Sequence, residues 1–235
     1  MDHQKLRQRF ATLTTAHVAD ACIRARVPVR CAPPAVRPVV PGGRLAGRVS
    51  PARHAGSVDI FLEAFEEAAP GDVLVVDNGG RTDEACVGDL VVLEARAAGL
   101  AGIVIWGLHR DTADILAIGL PVFSTGSTPT GPQRLDVRPE DAIGSATVGE
   151  WTVGREDLVL ADDDGVLFVP ADRAEDLFAL AETIRDTERR QAERIRSGDS
   201  LRSQVGFGSY LAARRQTPSL TFREHLRAVG GAIEE

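Results

Sequence analysis

Cysteine is scarce in this chain. Cys22, Cys31 and Cys86 are the only three, an odd number with no CxxC spacing, which excludes a disulfide framework and a zinc knuckle and leaves ordinary buried thiols. Long hydrophobic runs are also missing. Stretches such as LAGIVIWGL (100–108) fall far short of the ~20 residues that span a bilayer. The charged start MDHQKLRQRF lacks the apolar region of a secretion signal, so no membrane partner and a cytoplasmic location are expected. Positive charge is not in excess either. A net charge of −7 and a pI near 5.3 provide no field to attract nucleic acid, and none is expected as a partner.

Several catalytic signatures are absent. The glycines of GGR (42–44) and NGGR (78–81) do not form a GxGxxG that opens a helix, so nucleotide binding has no support; Asn78-Gly79-Gly80 reads as a turn after a strand, at a position that can border a cleft. Among His3, His17, His54, His109 and His225 no pair has the HxxxH or HExxH spacing of a zinc helix. No GxSxG nucleophile elbow is present, and Ser124 and Ser127 sit in a Gly/Thr/Pro loop. Asp162-Asp163-Asp164-Gly165 lacks the oxygen spacing of a calcium loop and reads as a hairpin turn.

What is present is a chain of 235 residues, 43% of them hydrophobic, enough to bury a sizeable core as one domain over 1–235. It divides into N-terminal helices with a Pro-rich arm (1–44), a core (45–170), and a C-terminal helix and tail (171–235). Patterning predicts helices over 3–11 and 15–25, the second capped by Thr14 or Thr15. The prolines of 28–41 impose extended chain that wraps the surface. Strands are expected near 45–50, 73–77, 103–106, 120–123, 145–149 and 166–169, with helices over 59–68 and 89–98, an α/β class with a mostly β second half. A long amphipathic helix over 171–197, capped by Asp172, places Leu177, Leu180, Ala181 and Ile184 on one face. Its end, RDTERRQAERIR (185–196), reads as a solvated face; Glu188 or Glu193 reaching a neighbouring subunit's site is the sharper alternative.

One spacing carries chemistry. Asp89 opens a helix at Gly88, and Arg110-Asp111, with Asp114 three residues beyond, leaves the buried strand IVIW (103–106), a strand end where open α/β folds take ligands. A hard divalent cation takes oxygen ligands and keeps several waters, so one carboxylate, Asp111, suffices as direct ligand while Asp89 and Asp114 hold metal-bound waters. The Arg110 fork matches a substrate carboxylate. The main-chain N–H groups of Gly88, Asp89 and Leu90, free at a helix start, can take the same anion. A metal polarising a 2-keto oxygen stabilises an enolate, the intermediate shared by retro-aldol cleavage and 2-oxoacid decarboxylation. A surface salt bridge between Arg110 and Asp111 or Asp114 is the plain alternative.

These residues, with TTAHVADA (14–21), RPVVPGGRLAG (37–47), GDVLVVDNGG (71–80), VGDLVVLEARAAGLAGIVIWGLHRD (87–111), GLPVFSTGSTPTG (119–131) and LADDDGVLFVP (160–170), resemble the RraA-like family. That family includes the class II 4-hydroxy-4-methyl-2-oxoglutarate/4-carboxy-4-hydroxy-2-oxoadipate aldolases. The resemblance implies a three-layer β/β/α swivelling-type core with a long C-terminal helix, assembled as homotrimers or homohexamers with sites between subunits. It implies Mg²⁺ or Mn²⁺ on Asp111, Arg110 on the pyruvate portion, Asp89 supporting the water network and proton transfer, and main-chain donors from 88–90. The expected reaction is cleavage of a 4-hydroxy-2-oxoacid to pyruvate, with oxaloacetate decarboxylation through the same enolate. The family also includes a non-catalytic ribonuclease inhibitor, so a binding protein is the competing class. Two positions depart from the family pattern: Trp106-Gly107 stands where Asp-Gly is frequent, and His109 is expected as a substrate-binding donor or a pocket wall. Both are expected to shape the far end of the substrate pocket. The segment 211–235 is longer than compact relatives need and is read as a cap on a neighbour's cleft.

Overall fold

In the computed structural model, which describes residues 1–229, the chain opens with helices α1 (His3–Phe10) and α2 (Thr15–Arg24). Thr14 caps α2. Its hydroxyl accepts from the His17 N–H while the His17 ring takes the Thr14 N–H, satisfying donors that a helix start leaves free. Thr15 instead donates its N–H and its hydroxyl to Asp162, at 2.8 and 2.7 Å. The Pro-rich arm is extended as expected, and it also closes the sheet: β1 (Arg30–Cys31) and β2 (Arg37–Pro38) are its two outermost strands. Short strands containing proline suit an edge, because proline offers no N–H to a further strand.

The core then runs β3 (Leu45–Arg53), α3 (Asp59–Glu67), β4 (Val73–Asp77), β5 (Ala85–Val87), α4 (Asp89–Ala97), β6 (Gly102–Trp106), β7 (Leu108–His109), α5 (Thr112–Ile118) and β8 (Val122–Ser124). It continues through β9 (Ser145–Val148), β10 (Trp151–Gly154), β11 (Asp157–Asp162) and β12 (Gly165–Pro170). Eight strands form one sheet in the order β1-β12-β11-β3-β4-β6-β8-β2. β3, β4, β6 and β8 are parallel, and the flanking pairs are antiparallel. β9 and β10 form a separate hairpin, and β5 pairs with β7 in a short parallel ribbon.

Strand alternation builds the layers. Val73 and Val75 of β4, Val104 of β6 and Phe168 of β12 face the hairpin and bury Ala146, Val148 and Val153. Leu74, Val76, Ile103 and Ile105 point the other way, onto Ile60 and Phe61 of α3 and Val91 and Val92 of α4. On the antiparallel half, Leu158, Leu160, Leu167 and Val169 pack under α1, α2 and the C-terminal helix. Hairpin, sheet and helices are the three layers the resemblance implied. Strands covered on both faces read as continuous apolar runs, which is why β4 and β6 stand out in the sequence.

Several elements depart from expectation. β3 continues past residue 50 to Arg53, and α5 was not expected, since only Ile115 of its seven residues is buried and one apolar position sets no period. The segment 171–173 forms a 3-10 turn that runs into helix α6 (Ala174–Arg196), and Asp172 lies inside that turn without making a cap bond. The reason is geometric: a cap needs extended backbone before the first turn, and the extended residue here is Pro170. Glu188 of α6 lies 3.1 Å from His17, and Glu193 pairs with Arg196 at 3.3 Å. Three further helices follow, α7 (Leu201–Gln204), α8 (Phe207–Gln216) and α9 (Phe222–Val229). Over its described residues the tail folds on itself, with the rings of Phe207, Tyr210, Phe222 and His225 in mutual contact and Leu226 fully buried. Residues 230–235 of the expected tail lie outside the described residues.

Candidate active site

The C-terminal ends of β3, β4 and β6 lie side by side, with Arg53 opposite Asp77 and Asp77 opposite Trp106. The loops leaving them carry His54, Asn78 and Arg110-Asp111. At this edge, where open α/β sheets take ligands, a cavity of about 280 Å³ is lined by His54, Cys86, Gly88, Asp89, Arg110 and Pro132, among others.

Gly88 shapes the centre of the site. A Cβ at this position would stand 2.5 Å from Asp111 Oδ2, closer than atoms can approach, and 3.3 Å from Arg110 Nε, a tight contact, so glycine lets the carboxylate lie where it does against the start of α4 and any side chain would displace it. Gly131 does the same on the far side, where a Cβ would meet Arg110 Nη1 at 2.8 Å. Arg110 Nε contacts Asp111 Oδ2 at 3.3 Å, and both side chains remain open, 47% and 37% exposed, so a ligand can reach them. Asp111 itself begins α5 in the left-handed region, φ 58° and ψ 41°, and makes no side-chain cap bond. Such backbone costs an ordinary residue on the order of 1–3 kcal/mol and clusters at functional sites. The other non-glycine residue with positive φ, Arg26, directly follows the C-cap of α2, a position where helices routinely turn left-handed.

The remaining expected residues separate. Asp89 is half-buried on the cavity wall, and its Oδ1 accepts from the Leu90 N–H at 2.8 Å, so that donor is already used locally. Asp114 is exposed in the first turn of α5 and is not among the residues lining the cavity. Among the described residues no three His, Cys, Asp or Glu side chains are grouped to hold a metal ion. The donor set is therefore a single open carboxylate, Asp111, which suits a hard cation that keeps most of its water and takes one or two protein carboxylates, and does not suit zinc.

His109 and Trp106 do not line the cavity. His109 is buried, its Nδ1 is 2.7 Å from Ser124 Oγ and its Nε2 is 3.0 Å from Thr112 Oγ1, so both ring nitrogens are engaged inside the protein. That arrangement ties β7 to β8 and to the start of α5, the turn that carries Asp111. Trp106 follows Ile105, which faces the helices, and so points to the hairpin face. There its indole lies over Gly80, where a Cβ would meet the ring at 2.6 Å. Cys86 is buried in the wall, where burial pushes its thiol far above the ordinary range and leaves it unreactive.

One polar group on the cavity wall was not anticipated. His54 Nδ1 lies 2.9 Å from Asn78 Oδ1, which also accepts from Arg134 Nη2 at 2.9 Å. Arg134 is in turn 3.0 Å from the buried Glu84. Asn78, read from sequence as a turn residue, is thus a buried link. No local signal marks this set, because His54, Asn78 and Arg134 are separated from one another by 24 to 80 positions.

The family profile described as RraA-like (Aldolase/RraA) matches residues 15–168. The chain belongs to the RraA-like family. It is 33% identical over 124 residues to the "Putative 4-hydroxy-4-methyl-2-oxoglutarate aldolase" of Halalkalibacterium halodurans, a match covering 51% of this chain and 56% of that one; the chain thus spans little more than half the length of this relative. A protein of the same name from Aromatoleum aromaticum is 30% identical over 149 residues, covering 63% of this chain and 92% of its own. Among solved structures, an uncharacterized protein from Pseudomonas syringae pv. tomato superposes with a TM-score of 0.72 at 27% identity, covering 84% and 95% of the two chains. Streptomyces coelicolor RraAS2, described as an unusual member of the RNase ES inhibitor RraA protein family, gives 0.69 at 25% identity over 81% and 98%. The RraA-like fold is therefore common to relatives named for catalysis and for inhibition. Among the described residues no helix is long and apolar enough to cross a membrane.

Proposed function

We propose that this chain is a cytoplasmic carbon–carbon lyase dependent on Mg²⁺ or Mn²⁺, which cleaves a 4-hydroxy-2-oxoacid to pyruvate and a second carbonyl compound and decarboxylates oxaloacetate. The observation that carries the reading is the Asp111 carboxylate, held on left-handed backbone against Gly88 and Arg110, two residues of the cavity wall. Asp111 holds the cation, with Asp89 and, further out, Asp114 as acceptors for surrounding water. When bound, the cation supplies a Lewis acid beside the 2-oxo oxygen. Arg110 binds the substrate carboxylate through the guanidinium edge that Gly131 leaves room for, a planar contact that lysine cannot reproduce. The start of α4 favours negative charge at the same place, and the Gly88 and Asp89 N–H groups are its donors. His109 acts by positioning Asp111 through Thr112.

The cavity rim supports assembly into trimers or hexamers with the site between subunits. Val58 and Leu90 line the cavity yet are 50% and 74% exposed, and Leu93, Leu135 and Val137 add exposed apolar surface, the kind of patch that marks an interface. A second reading, a binding protein without catalysis, is favoured by the likeness to RraAS2; a pure binder, however, has no use for a glycine that clears space around one carboxylate.

The test is pyruvate release from 4-hydroxy-4-methyl-2-oxoglutarate and from oxaloacetate with Mg²⁺, Mn²⁺ or EDTA, for wild type and Asp111→Ala. Metal-dependent turnover lost by roughly a thousandfold or more in the variant is expected. Wild type that releases no pyruvate from either substrate with any metal would leave the binding protein as the better account.

A further inference from the structure

The cavity that holds Arg110 carries little charge. Among the described residues that line it, Arg110 is the only cation, and Asp89 adds a negative charge. Most of the remaining wall is apolar, made by Val58, Ala85, Cys86, Leu90, Val91 and Pro132, and burial keeps the Cys86 thiol in its neutral form. His54 supplies no charge either. Its side chain is 1% exposed and stacked on Phe61, and burial, the largest influence on the ring, lowers its pKa. Three further arginines, Arg53, Arg81 and Arg134, line a neighbouring hollow that shares His54 with this one. Each is already neutralised: Arg53 by Asp141, Arg81 by Asp83 at 2.5 Å, and Arg134 by Glu84 at 3.0 Å and by Asp136. The walls are also fixed in place. The Ala85 N–H donates to the Thr130 carbonyl and the Asp136 N–H to the Ala55 carbonyl, both at 2.8 Å, and Gly56 lies so close to the Arg134 carbonyl that a Cβ there has no room. At about 280 Å³ the space is at the small end of ligand sites.

Arg110 is assigned to the carboxylate beside the 2-oxo group, so a second carboxylate on C4 would enter a wall with no cation to meet it and with Asp89 to repel it. Burying an unpaired charge is unfavourable, whereas covering apolar wall is favourable. We propose that the preferred substrate is a monocarboxylic 4-hydroxy-2-oxoacid with a short alkyl group on C4, which leaves as an aliphatic aldehyde or ketone. This substrate class rests on the lyase reading above. In the cleavage the C4 hydroxyl proton passes to water, the oxygen electrons form the C4 carbonyl, and the C3–C4 pair becomes the C2–C3 double bond of the pyruvate enolate. Protonation at C3 then gives pyruvate. Atoms and electrons balance without an oxidant or reductant. Oxaloacetate is compatible with the same wall, because its second carboxylate departs as CO₂ and needs no lasting partner.

Two uncleaved 2-oxoacids test the wall without turnover. 2-Oxopentanoate and 2-oxoglutarate differ only in carrying a methyl or a carboxylate at the far end. Titrated calorimetrically into the assembled, Mg²⁺-loaded protein, 2-oxopentanoate is expected to bind about tenfold or more tightly than 2-oxoglutarate. Val58→Arg adds a cation to the wall and should narrow or reverse that ratio; Pro132→Arg is the second variant should the first not fold. In turnover, 4-hydroxy-4-methyl-2-oxopentanoate should be cleaved with a higher kcat/KM than 4-hydroxy-4-methyl-2-oxoglutarate, from which it differs by a methyl in place of one carboxylate. No preference between the two uncleaved acids, or a preference for 2-oxoglutarate, overturns the substrate class and leaves the lyase reading intact as long as either hydroxyacid is cleaved. Wild type that cleaves neither hydroxyacid and leaves oxaloacetate untouched overturns the lyase reading and the substrate class with it.

Discussion

The two halves of the sheet use polar residues in opposite ways. Under α1, α2 and α6, on the antiparallel side, buried charge is paired at once: Asp162 takes two bonds from Thr15, Asp157 takes both terminal nitrogens of Arg30, and Arg9 forks onto Glu182. At the C-terminal edge of the parallel strands paired groups such as Glu84 with Arg134 stand beside others that are left open. Asp111 sits on strained backbone without a cap bond, Asn78 Nδ2 lacks a partner, and Leu90 stands exposed beside a cavity. An open carboxylate on left-handed backbone gives up stability and is placed to meet a ligand.

Substitutions on either side should therefore separate activity from stability. Gly88→Ala pushes a methyl into the Asp111 carboxylate, and a misplacement of this size is expected to cost on the order of a hundredfold in kcat/KM with little change in Tm. Asp162→Ala should do the reverse, lowering stability by roughly 2 kcal/mol in denaturant unfolding, because Thr15 loses both acceptors at the start of α2, while the folded protein keeps its kcat. If Asp162→Ala lost turnover as completely as Gly88→Ala, the division of labour would be wrong.

A smaller effect is expected at Arg110. Lysine keeps the charge and loses the planar fork, so KM for the oxoacid should rise about tenfold with a lesser change in kcat; unchanged kinetics would remove Arg110 from the site. The smallest effect concerns pH. His54 and His109 are both held below the ordinary histidine value, in each case chiefly by burial. A group with a depressed folded-state pKa contributes stability that is full above the unfolded value, near 6.5, and is lost as pH falls through the folded value. Tm should therefore decline on acidification below about pH 6.5, and more steeply in wild type than in His54→Asn. Parallel curves would show that His54 does not stay neutral in the fold.

Much of the architecture was legible because burial on both faces leaves continuous apolar strands, and Gly88-Asp89 announced a helix start that the structure retains. The Asp162–Gly165 turn was legible from its Asp-Gly pair, and β11 and β12 meet there. What stayed hidden depends on distance or on two-residue elements. β1 and β2 exist only through partners more than eighty positions away, and β5 and β7 are too short to alternate. The orientations of Trp106 and His109 follow from which face their strands present, which the block WGLHRD does not reveal. His54, Asn78 and Arg134 meet only when three loops converge. For the site itself, the neighbouring pair Arg110-Asp111 and its proximity to Gly88 could be read in advance; the left-handed turn at Asp111 could not, since α5 leaves almost no apolar period.

Cation binding tests the central claim most directly, and it needs no turnover. Mn²⁺ titrated into the assembled protein and followed by electron paramagnetic resonance should show one site per chain in wild type, weakened by about a hundredfold or more in Asp111→Ala and unaffected in Asp162→Ala. Equal Mn²⁺ affinity in wild type and Asp111→Ala would contradict the account.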